Sequence, residues 1–209
     1  MPPKKNQKQK KAQRPPAKKR SRQQRTVTGM VPGPMAQSVG ASANSSVGTL
    51  RVRNKEYWGL LTVADPAAIT TLGFAPGKSG MTVLDGLGSV YDNYRVHRAR
   101  VYLVGTSPTT STTVVNSCID YEPAVVAKTQ DLVLRTVPNV TVPGYRNAVL
   151  TANKTSMMRR NWFVSNVSGY TEDSTAFLLV SWVAGAKGES MLVYCDYDVE
   201  FRNPSKSGA

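Results

Sequence analysis

The chain has 209 residues, with 27 Lys and Arg against 13 Asp and Glu, one His and two Cys, for a formal charge of +14. Two cysteines cannot build a disulfide scaffold, one histidine cannot build a histidine-based zinc cage, and no apolar run approaches the ~18 residues that a membrane-spanning helix needs. The first acid is Glu56, and residues 1–55 hold 14 of the basic groups, leaving 13 of each sign for residues 56–209.

Residues 1–25, MPPKKNQKQKKAQRPPAKKRSRQQR, carry eleven cations: Lys4, Lys5, Lys8, Lys10, Lys11, Arg14, Lys18, Lys19, Arg20, Arg22 and Arg25. Pro15 and Pro16 interrupt any helix, and no buried apolar area offsets roughly 1–2 kcal/mol of backbone entropy per ordered residue, so the segment is expected to be a disordered arm. It has no apolar core to serve as a secretory signal, and its prolines break the amphipathic period of a mitochondrial presequence. A membrane-binding tail would add aromatic or leucine anchors or a lipidation site, so no membrane partner is expected. The remaining readings are a solvated tail or import signal and a nucleic-acid arm. Phosphate suits the segment, because each Lys or Arg placed on it releases a condensed counterion without requiring a folded surface.

Residues 26–49, TVTGMVPGPMAQSVGASANSSVGT, lose the charge and gain Gly, Pro, Ser and Ala. That composition reads as a hinge or extended arm.

Residues 50–204 have the texture of β structure. ESMLVYCDYDVEF alternates, with Met191, Val193, Cys195, Tyr197, Val199 and Phe201 on one face and Leu192, Tyr194, Asp196, Asp198 and Glu200 on the other. That is the pattern of a half-buried strand. AFLLVSWVA is apolar on both faces and short, as in a core strand, and LRVRNKEYWGLLTV, YRVHRARVYLVG and TTVVNSCIDY are rich in β-branched and aromatic residues. About eight such runs, separated by Gly, Pro, Asn and Ser clusters, predict an all-β antiparallel sandwich with a single core. Residues 205–209 form a short polar tail.

Local motifs for chemistry are weak. GFAPGKSG at residues 73–80 approaches a phosphate-binding loop, but Gly73 is one residue too close to the Gly77-Lys78-Ser79 triplet and no helix-forming stretch is evident after it; DGLGSV reads as a turn. His97 reads as a surface residue of an Arg-rich strand. With no Gly-x-Ser-x-Gly elbow and no second imidazole, an enzyme is not expected. Cys118 and Cys195 read as buried thiols, and the sequons at Asn44, Asn139, Asn153 and Asn166 as a by-product of polar loops. Trp58, Trp162 and Trp182 suit core or interface anchoring better than base stacking. In IDYEP, Asp120 and Glu122 stand two residues apart at a strand end. Alternation would point both carboxylates to one side, where they could contribute to a hard-cation site needing further oxygens, or simply form a solvated loop edge.

Taken in order, these segments resemble the coat proteins of small icosahedral positive-strand RNA plant viruses of the tombusvirus and sobemovirus type. VRNKEYWGLL, SVYDNYRVHRARVYLVG, CIDYEP and GESMLVYCDYDVEFRNP each resemble a segment of the shell domain, with Asn54 and Lys55 departing from the usual His-Arg before Glu56-Tyr57. The resemblance implies an eight-stranded jelly-roll sandwich behind a disordered basic arm, without a protruding domain. It implies self-assembly into a T=3 icosahedral shell of about 180 copies, single-stranded viral RNA packaged through the eleven arm cations, and an intersubunit calcium ion held partly by Asp120 and Glu122. Location in the virion, and in the host cytoplasm during assembly, follows from the same resemblance. The alternative is a cellular RNA-binding β-domain with a basic tail. That reading predicts aromatic side chains exposed on a sheet, yet the chain lacks the Lys/Arg-Gly-aromatic signature of the commonest such module.

Overall fold

A computed structural model describes residues 40–44, 48–64, 67–124 and 129–204. The chain divides between Met35 and Ala36, and all described residues belong to the second unit. Among the described residues, ten strands and three short helices follow one another as β1 (Gly40–Asn44), β2 (Thr49–Thr62), β3 (Ile69–Phe74), α1 (Thr82–Val90), β4 (Tyr91–Gly105), β5 (Val114–Asp120), α2 (Gln130–Arg135), β6 (Asn139–Pro143), β7 (Ala148–Thr151), α3 (Lys154–Met157), β8 (Phe163–Val164), β9 (Phe177–Ala184) and β10 (Ser190–Pro204).

Eight of these strands form two four-stranded antiparallel layers, β2-β10-β4-β7 against β3-β9-β5-β6. Apart from β5 and β6, neighbours in each layer are distant in sequence, which is the Greek-key connectivity of a jelly roll. The other two strands extend the first layer to six: β1 pairs with the edge of β2, and the two-residue β8 pairs with β4. The sheet therefore begins at Gly40, ten residues before the expected start, inside the stretch read as a hinge. Its only sequence signal is GASAN, small residues that need nothing beyond main-chain pairing to join an edge.

Alternation along β10 places Met191, Val193, Cys195, Tyr197, Val199 and Phe201 in the core, as the sequence predicts. The two layers meet through an aromatic cluster. Phe74 and Phe177 stack at 4.9 Å, Trp58 stands edge-on to both, and Tyr197 stands edge-on to Phe74. Burial of each such ring contributes about 1.5–3 kcal/mol. Some polar atoms in this core are satisfied locally: Tyr94 Oη donates to the Ser174 carbonyl at 2.9 Å, and the Ser117 and Ser181 hydroxyls pair across β5 and β9 at 2.8 Å, while the Trp58 indole N–H has no protein partner.

The outer side of the four-stranded layer is covered as well. Val133 of α2 packs on Cys118, Leu178 and Val180, with Ile69 against them. The helix starts at Thr129, whose hydroxyl accepts the Leu132 N–H at 3.2 Å, satisfying one of the donors that a helix start leaves open. This cover explains why β9 is apolar on both faces. Cys118 and Cys195 are both buried, on different layers, and burial pushes the Cys195 thiol well up. No helix among the described residues is long and apolar enough to cross a membrane.

Candidate functional site

The eleven arm cations from Lys4 to Arg25 lie outside the described residues, as do residues 26–39, 45–47 and 205–209. The acidic pair is described. β5 ends at Asp120, and its Oδ1 accepts the Glu122 N–H at 2.9 Å, a side-chain-to-backbone turn typical of Asp. Strand alternation therefore stops before it can place Glu122. Asp120 is half-buried and Glu122 exposed. No group of three or more His, Cys, Asp or Glu side chains among the described residues is arranged so that it could hold a metal ion. A calcium ion takes six to eight oxygens, so these two carboxylates fit it only as part of a shared ligand set.

The phosphate-loop-like GFAPGKSG is followed at once by α1, which also contains the DGLGSV expected to be a turn. Tertiary contacts override the two helix-weakening glycines. Glu56 of β2 accepts the Val83 and Leu84 N–H groups at 2.7 and 3.2 Å and also takes the Tyr197 hydroxyl, so a carboxylate from another element caps the helix. Gly88 is required, because a Cβ there would lie 2.4 Å from the Gly77 nitrogen. The loop itself does form an anion cradle, and Asp85 fills it. The N–H groups of Gly77, Ser79 and Gly80 all donate to that carboxylate at 2.7–2.9 Å. The same donors that would hold a phosphate hold the protein's own anion, and they are not open to a nucleotide.

The outer face of the six-stranded layer holds the feature that charge counting by segment missed. Arg51, Arg53 and Lys55, summed with the arm in a count along the chain, lie on β2. The registers set Lys55, Arg53 and Arg51 opposite Asp196, Asp198 and Glu200 of β10, and these in turn opposite Arg100, Arg98 and Arg95 of β4. Asp198 is taken by both Arg51, through two bonds at 2.7 and 2.8 Å, and Arg53, at 2.7 Å. Glu200 is shared by Arg95 at 2.7 Å and His97 at 2.8 Å, and Arg98 reaches Asp196 at 2.8 Å. His97 is thus a largely enclosed member of this ladder and not the surface residue expected. Burial works to raise the Asp198 and Glu200 carboxyls, and the hydrogen bonds from their cations outweigh it, holding both below the usual range.

The next rung of the same face is aromatic: Tyr57, Tyr194 and Tyr102 lie side by side on β2, β10 and β4, with Tyr57 edge-on to Tyr194 at 5.8 Å. Lys55 Nζ sits 4.1 Å above the Tyr102 ring. At the opposite end Trp162 lies between the guanidinium groups of Arg202, at 4.0 Å, and Arg95, at 4.9 Å. Of the three tryptophans, Trp58 is buried in the core, while Trp162 and Trp182 are half-buried. The period-two patterns RVRNK, RARVY and DYDVE carry this surface in the sequence, but only the pairing of three distant strands makes them one face.

No family model and no curated protein matches the chain. Solved structures do. The protein is similar to tobacco necrosis virus, at 16% identity and a TM-score of 0.69 over 85% of this chain and 91% of that one. It is similar to mud crab tombus-like virus, at 18% identity and a TM-score of 0.64 over 83% and 94%. It is also similar to melon necrotic spot virus, at 17% identity and a TM-score of 0.65 over 88% of this chain and 60% of that one. The body thus has the jelly-roll fold seen in tombusvirus, sobemovirus and nodavirus capsid proteins.

Proposed function

We propose that the protein is a viral coat protein, structural and not enzymatic, which self-assembles into an icosahedral shell and packages single-stranded RNA through its basic arm. The observation that carries this reading is the likeness to virus structures over nearly their whole length, 91% for tobacco necrosis virus and 94% for mud crab tombus-like virus. The arm supports the second half. Eleven cations without an acid are placed ahead of a body whose charges nearly balance, so most RNA affinity comes from counterion release at the arm. A T=3 shell of about 180 copies, located in the virion and assembled in the host cytoplasm, is the form this reading takes.

A calcium ion between neighbouring subunits, with Asp120 and Glu122 among its ligands, belongs to the same proposal. A bound divalent cation would offset the repulsion of carboxylates brought together at a subunit seam. Chelation at mildly alkaline pH then swells the particle, calcium reverses it, and the Asp120→Asn, Glu122→Gln double variant is indifferent to chelator. Native particles that scatter light identically with and without chelator would rule the site out.

Sedimentation of the purified chain tests the main proposal. A coat protein runs as closed particles of megadalton scale, whereas a cellular RNA-binding domain with a basic tail stays a monomer or dimer. Deleting residues 1–25 should leave a folded body and remove most RNA binding. If about eight arm cations meet phosphates, the slope of log K against log salt falls by roughly 6.

A further inference from the structure

We propose that the outer face of the six-stranded layer is a second contact surface for single-stranded RNA, its Arg and Lys rungs meeting phosphates and Tyr57, Tyr102 and Tyr194 stacking on bases. The inference rests on the RNA-packaging reading above and adds to it a named surface on the folded body.

Charge is the first argument. Seven cations, Arg51, Arg53, Lys55, Arg95, Arg98, Arg100 and Arg202, stand on this face against Asp196, Asp198 and Glu200. An ion-pair ladder built only for stability would match the signs, and this one does not. The paired arginines also keep donors in reserve. Arg53 spends only Nε on Asp198 and its side chain is 66% exposed, while Arg98 is 50% exposed. Guanidinium presents five N–H groups in a planar fork, so one can hold a carboxylate at one edge and a phosphate at the other. Arg100 is exposed beside them.

The aromatic rung is the second argument. Tyr57 is 47% exposed, and Tyr102 and Tyr194 continue it across strands ~4.8 Å apart, one rung from Lys55 and Arg100. A cationic track flanked by one exposed ring and two half-buried ones can hold unpaired nucleotides, since every base offers a π-face. An acidic protein partner would use the cations and leave the tyrosines without a role.

The route of the chain is the third. β1 is hydrogen-bonded to β2 in this same layer, with Gly40 opposite Arg53. Only 14 residues lie between Arg25 and Gly40, a stretch that can reach at most ~50 Å. The described residues therefore begin on a strand paired at the edge of this face.

The test uses the full-length protein held as dissociated subunits, binding a short oligouridylate across a salt series. The triple variant Arg53→Gln, Lys55→Gln, Arg100→Gln should lower the salt slope by about 2. A control triple on other surfaces, Arg135→Gln, Arg146→Gln, Lys154→Gln, should leave it unchanged. Tyr57→Leu should weaken binding on the order of tenfold with the slope intact. Thermal melting confirms that each variant is folded. An arm variant with all eleven cations changed to Gln separates the two readings. If the arm variant loses slope while the face and control triples behave alike, the second surface is wrong and the packaging arm stands. If neither arm nor face variant changes the slope, both fall. A face triple that loses binding to polyglutamate while keeping its oligouridylate slope assigns the surface to an acidic protein and overturns the proposal.

Discussion

The two layers of the sandwich share a core and differ in what lies behind it. Behind the four-stranded layer, α2 lays Val133 over Cys118, Leu178 and Val180, so β9 is buried on both faces. Behind the six-stranded layer no described element covers the middle of β10, where Asp196, Asp198 and Glu200 meet arginines from two strands. One layer is finished within the chain. The other presents a charged and aromatic surface held rigid by its own ion pairs, and rigidity of that kind is what a binding surface requires.

Substitutions that strike the shared core should be the most damaging and should not distinguish the layers. Phe177→Ala removes the ring stacked on Phe74 and edge-on to Trp58, and should cost about 3–5 kcal/mol in urea unfolding of dissociated subunits. The comparison itself is tested by two leucines on the outer faces. Leu178, 3% exposed under α2, should lose about 2–4 kcal/mol on change to Ala. Leu192, on the outer face of the open layer and half-buried, should lose less than about 1 kcal/mol. Equal costs would mean that the open face is covered in the isolated subunit.

Asp198→Asn is the next largest. It leaves Arg51 and Arg53 without the carboxylate they share, a loss of about 1–3 kcal/mol near neutral pH. The sign of the pH dependence follows from direction. The Asp198 and Glu200 carboxyls are lower in the folded than in the unfolded protein, so their contribution is full above about pH 5 and is lost as pH falls through the depressed values. Urea midpoints of the native protein and Asp198→Asn should differ most at neutral pH and converge in acid. A gap that widens on acidification contradicts the assignment. Smallest of all, Arg53→Gln alone should change stability by less than about 0.5 kcal/mol, because the exposed guanidinium gains little from one ion pair and Arg51 retains the carboxylate.

How much of this could be read in advance depended on whether the signal was local. β10 could be read residue by residue, since a half-buried strand writes its two faces at period two. β9 announced a core strand, but not that α2 would be its cover. The helix α1 was invisible: TVLDGLGSV has two glycines, and what holds it is Glu56, 27 residues upstream. The GFAPGKSG loop was judged on spacing, which could not reveal that Asp85 fills its cradle. The ladder was hidden by adding charges along the chain, which put Arg51, Arg53 and Lys55 with the arm when folding puts them with Arg98 and Arg100. His97 was read as a surface residue because its partner Glu200 lies 103 residues away in sequence.

The proposed function makes this body a shell subunit and its arm the part that takes up RNA. Electron microscopy of negatively stained full-length protein, mixed with single-stranded RNA at low salt, tests it most directly. The account predicts closed spherical shells of uniform diameter whose RNA is protected from nuclease. Dispersed subunits under every salt and protein concentration tried, with the RNA fully degraded, would contradict it.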